Sequence, residues 1–71
     1  MVEARVVQYK NRSGKSREWR YKANDNDNIA GRIFFLTQSN ELALDIASWC
    51  EIGTVGETYE FDNGRIELVE R

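Results

Sequence analysis

The side chains in this sequence best suited to chemistry are cations set among aromatics. Arg5, Lys10, Arg12, Lys15, Arg17, Arg20 and Lys22 fall within the first 22 positions, interleaved with Tyr9, Trp19 and Tyr21. Lysine and arginine neutralise phosphates, and an exposed ring stacks on an unpaired base for roughly 1–3 kcal/mol. The combination suits single-stranded nucleic acid better than a duplex groove. Only Glu3 and Glu18 oppose these seven cations, a net of +5, whereas positions 23–71 set Arg32, Arg65 and Arg71 against ten carboxylates, a net of −7. The overall charge of −2 hides this split. Such asymmetry flags a charged partner.

Other chemistry has little to work with. The chain has no histidine and one cysteine, Cys50. Histidine acid–base catalysis and an intrachain disulfide are therefore absent, and a zinc site would need carboxylates almost alone. Asp25 and Asp27 sit among asparagines, but a calcium loop counted from Asp25 lacks glycine at its sixth position and glutamate at its twelfth. No phosphate-binding glycine motif and no nucleophile–base pair stands out. The expectation is a protein that is not an enzyme and holds no metal or cofactor. The first residues lack the apolar run of a signal peptide, and the longest apolar run, Ile33 to Leu36, is far too short to span a bilayer. A cytoplasmic location away from membranes is the matching expectation.

Seventy-one residues make one domain. So short a chain buries only roughly 60% of the surface its unfolded form exposes, and self-association is one way to gain more. Residues 2–10 and 16–23 carry the valine, tyrosine and tryptophan of strands around a turn cluster, Asn11 to Lys15. After a polar loop at 24–28, residues 29–38 are ambiguous. Their β-branched and aromatic content favours a strand, while Ile29, Ile33 and Leu36 would also form the inner stripe of a short helix capped by Asn28.

Residues 40–51 read as the single clear helix. Ser39 or Asn40 serves as N-cap, Leu42, Ile46, Trp49 and Cys50 face inward, and Gly53 supplies a left-handed stop. Asp62-Asn63-Gly64 then joins two strands as a hairpin. The expected fold is α+β, in the order β-β-(β)-α-β-β. It is either an antiparallel sheet of four or five strands with the helix on one face, or a small OB-like barrel.

Register gives the charges a geometry. A turn at Ser13-Gly14 sets Val6 opposite Tyr21 on the core side and Arg5 opposite Lys22 on the other. A turn at Asn63-Gly64 sets Phe61 opposite Ile66 on one face and Glu60 opposite Glu67 on the other. Each hairpin then has a self-repelling face, and the two faces are complementary. Three readings follow. The hairpins neutralise one another, with no ligand needed. Alternatively, single-stranded nucleic acid binds Arg5, Tyr9, Lys10, Arg12, Lys15, Arg17, Trp19, Arg20 and Lys22. In the third reading, another protein is bound at a sheet edge or at the acidic surface of Glu41, Leu44, Asp45, Glu60 and Glu67.

Overall fold

The computed structural model describes residues 1–9 and 14–71. Two strands, β1 (Val2–Gln8) and β2 (Arg17–Lys22), are followed by two helices, α1 (Asn26–Thr37) and α2 (Asn40–Ile52). Two more strands, β3 (Thr58–Phe61) and β4 (Gly64–Glu70), close the chain. The strands form an antiparallel sheet in the order β2-β1-β4-β3. Among the described residues the sheet is open, with four strands and two helices. It is neither an OB-like barrel nor a sheet with a single helix.

The additional helix, α1, is where the strand reading of residues 29–38 fails. Ile29 and Ile33 are fully buried, with Ala30 and Leu36 packed beside them, so the helical period wins over β-branched content. Asn28 donates to the Asp25 carboxylate at the helix start. At the other end Gln38 is left-handed, φ 59°, and its N–H closes on the Phe34 carbonyl. Ser39 then caps α2 by accepting from the Leu42 N–H, so the two helices are joined by two residues. Gly53 ends α2 by donating to the Trp49 carbonyl, but in extended backbone, not the left-handed form expected. A side chain there would strike Leu68, which accounts for the glycine in another way.

Both helices lie on one face of the sheet. Ala4 and Val6 of β1 and Ile66 and Leu68 of β4 meet Ile29 and Ile33 of α1 and Ala43, Ile46, Ala47 and Cys50 of α2. The alanines let α2 approach closely, and Leu42 and Trp49, expected in the core, flank it half-buried. Trp49 meets Tyr59 of β3 edge to face, 5.5 Å between ring centres. Among the described residues no helix is long and apolar enough to cross a membrane.

Both hairpins differ from the expected register by two residues. Val6 faces Trp19, not Tyr21, and Arg5 faces Arg20, not Lys22. Tyr59 faces Ile66 and Phe61 faces Gly64, so Glu60 lies opposite Arg65 and not Glu67. The second turn moves to Asp62-Asn63, with Asn63 at φ 66°. Gly64 is claimed by packing: a Cβ there would overlap the Val7 carbonyl oxygen and come within 2.8 Å of the Phe61 ring. A two-residue shift keeps every side chain on its expected face, because strand side chains alternate with period two.

Candidate functional site

The face of the sheet away from the helices carries Glu3, Arg5 and Val7 of β1 and Glu18, Arg20 and Lys22 of β2. On the other two strands it carries Thr58 and Glu60 of β3 and Arg65, Glu67 and Val69 of β4. Its four cations equal its four carboxylates, and Arg5, Arg20 and Arg65 interlock with Glu3, Glu18 and Glu67. Arg5 sits opposite Arg20, but Glu18 bridges both, at 2.8 Å to each. On its other side Arg5 faces Glu67 in register and reaches it at 3.1 Å. Glu67 also takes a bond from Arg65, and Glu3, a buried carboxylate, takes one from Arg71 at 2.9 Å with Arg20 at 3.8 Å.

This network shows in the acidities. Hydrogen bonds from Arg5 and then Arg20 pull the Glu18 carboxyl down to about 2. Those from Arg65 and Arg5 lower Glu67, and the same contacts hold Arg5 and Arg65 more firmly charged.

The nucleic-acid candidates do not converge on one surface. Arg5, Arg20 and Lys22 lie on this open face. Trp19 and Arg17 belong to the opposite parity of β2, the side toward α1. Tyr9, just past β1, is exposed, with the Arg65 guanidinium 5.5 Å from its ring centre. Lys15 is exposed in the β1–β2 connection, and Lys10 and Arg12 lie outside the described residues. The acidic candidates also separate. Glu41, Leu44 and Asp45 are exposed on α2, whereas Glu60 and Glu67 belong to the sheet.

A second surface assembles from residues the sequence did not connect. Arg32 of α1 lies over the Trp19 ring at 4.4 Å and over Phe35 at 5.4 Å, and donates through Nε to the Tyr21 hydroxyl at 3.0 Å. Arg17 also stacks on Trp19, at 4.8 Å. Among the described residues Arg5, Arg20, Arg65 and Arg71 form ion pairs with carboxylates, and Arg17 and Arg32 do not. Phe35 is 59% exposed. Between α1 and β2 runs an open groove of about 280 Å³ lined by Tyr21, Asp27, Asn28, Gly31, Arg32 and Phe35.

The signal for this cluster was present in the sequence but conditional. Asn28, Gly31, Arg32 and Phe35 share one side only if residues 29–38 are helical. A strand would have split them between two faces. A slightly larger depression, lined by Met1, Val2, Lys22, Ala23 and Asn24, gathers no comparable set of rings and cations.

Among the described residues no three histidine, cysteine, aspartate or glutamate side chains converge as metal ligands would. Comparison with protein-family models, curated proteins and solved structures gives no match to this chain.

Proposed function

We propose that the chain is a small non-catalytic binding module whose partner is another protein, engaged through the surface of Arg17, Trp19, Tyr21, Arg32 and Phe35. The observation that carries this reading is the pair of guanidiniums stacked on Trp19 without a carboxylate partner, beside an exposed phenylalanine. Tryptophan, tyrosine, phenylalanine and arginine are the residues enriched at protein interfaces, and hot spots are dominated by three of these, Trp, Tyr and Arg. Stacking holds an arginine in place without neutralising it, so its free N–H groups are pre-organised for an incoming acceptor. Phe35 supplies apolar area at the same spot.

Edge addition is less favoured. β2, the longer edge strand, presents Arg17, Glu18, Arg20 and Lys22 among its six residues, and β3 has only four residues. Charged and short edges are the usual protection against strand pairing.

The competing reading, single-stranded nucleic acid, draws on the same Trp19 flanked by Arg17 and Arg32. Weighing against it is the charge balance of the open face, three of whose four cations, Arg5, Arg20 and Arg65, already hold carboxylates. A polyphosphate backbone gains affinity by counterion release from many contacts, and Arg5, Arg20 and Arg65 would first have to give up their carboxylates to make them.

The experiment is capture from a lysate of the encoding cells on immobilised wild type and on Phe35→Ser with Arg17→Gln, with and without nuclease. A protein retained by wild type, lost by the variant and indifferent to nuclease is the expected result. Retention that nuclease abolishes, or that the variant preserves, overturns the reading.

A further inference from the structure

The fold leaves Gly31 unexplained. It sits inside α1, its φ is not in the left-handed region, and a Cβ built there would meet nothing within 4 Å. Glycine in a helix interior destabilises by roughly 0.5–1 kcal/mol relative to alanine. Among the described residues no packing, turn or close approach offsets this at Gly31. Gly64 and Gly53 behave differently, since at both a side chain would collide with neighbours. A bare helical turn that the fold does not use is a place where something else can approach the backbone.

The surroundings of that turn specify the chemistry. Arg32 is fixed by its bond to Tyr21 and by its contacts with Trp19 and Phe35, and that bond uses only Nε. Its two terminal nitrogens, four N–H donors in a plane, remain for a carboxylate, which matches that fork in a bidentate pair. Phe35, one turn beyond Gly31, borders the groove with exposed ring surface. Asp27, one turn before Gly31, lines the far end and repels a second anion there. The groove is therefore polar in one direction, with a cation and a ring at one end and a carboxylate at the other.

We infer that the groove between α1 and β2 is a subsite for an acidic residue of a partner segment, its carboxylate on Arg32 and its backbone passing over Gly31 with an apolar neighbour against Phe35. This deepens the protein-binding reading and rests on it. Charge complementarity commits the occupant to an acidic peptide. The single unpaired guanidinium in the groove suits one carboxylate, whereas a nucleic-acid strand would carry its next phosphate toward Asp27.

The test uses isotope-labelled full-length chain and three defined ligands. These are a blocked peptide alternating glutamate with leucine and phenylalanine, the same peptide with glutamine for glutamate, and a short oligothymidylate. The expected result is that the acidic peptide alone shifts the Gly31 amide, the Trp19 indole N–H and the Arg32 Nε–H. Gly31→Gln and Arg32→Gln should each weaken its binding by about tenfold, the scale of a lost charge-assisted hydrogen bond. Gly31→Gln removes a helix-interior glycine, so its melting temperature should be equal or higher, which separates a blocked groove from a damaged fold.

Binding of the acidic peptide that ignores Gly31→Gln, or shifts confined to other residues, overturns the subsite while leaving the protein-binding reading standing. Equal binding of the glutamine peptide overturns the role given to Arg32, and no response to either peptide overturns the subsite. Shifts produced by oligothymidylate alone overturn both the subsite and the reading it rests on.

Discussion

Single residues in this chain divide by whether the fold needs them. Gly64 is needed: Gly64→Ala places a methyl group against the Val7 carbonyl and the Phe61 ring, and overpacking of this kind destabilises by about 1–3 kcal/mol. Gly31 is not, and Gly31→Ala should stabilise by about 0.5–1 kcal/mol. Denaturant titration of the two variants checks both signs at once.

Cys50 is 2% exposed, and burial pushes its thiol up to about 12, so it should resist alkylation in the native state and react only as the core opens. Mass spectrometry of the alkylated protein across a denaturant series reads this directly.

Trp19 shows what a sequence conveys about one residue. The sequence offers it as a stacking platform, and the folded side chain is half-buried against the core while two guanidiniums lie on its ring. Arg32 was beyond reach, because its neighbours depend on whether residues 29–38 are helix or strand.

At the scale of elements, α2 and both hairpins were legible because their signals are local: a serine cap, a stripe at helical spacing, turn residues between alternating strands. Ser39→Ala removes the cap bond to Leu42 and should cost about 0.5–2 kcal/mol, measured as a shift in the denaturation midpoint. Register was less legible than face. Asn63-Gly64 is a favoured turn pair, but Gly64 is required by Phe61 and Val7, so the turn slides to Asp62-Asn63. The slide is by two, so every expected face survived while every expected partner changed.

That difference matters for the charges. The like pair Glu60–Glu67 does not exist, and the like pair that does, Arg5–Arg20, is bridged by Glu18 from two rows away. α1 was misread because a short apolar run carries either period, and only the packing of Ile29 and Ile33 against β1 and β4 decides between them.

At the scale of the molecule, the uneven charge of the sequence becomes an even charge on one face. The basic strands and the acidic hairpin meet at the β1–β4 seam, where Arg5 reaches Glu67. This makes stability acid-sensitive with a definite sign. Glu18 and Glu67 are held below the ordinary carboxylate value, so what they contribute is fully present above about pH 4.3. It is lost as pH falls, for Glu18 as the pH passes through about 2. Thermal melts at stepped pH should show a plateau near neutrality and a decline below about pH 4.3. The pairs are partly exposed, so added salt should shrink the difference.

The same seam has a kinetic consequence. The Met1 amino group bonds Glu70, and the Arg71 N–H bonds the Met1 carbonyl, so the two ends of the chain lie side by side in the middle of the sheet. Each hairpin and the helix pair can form from neighbours in sequence, but the two central strands meet only after nearly the whole chain has closed into a ring. Folding is therefore expected to wait on that closure. Trimming either end does not fray an edge of this sheet; it parts the sheet along its centre line.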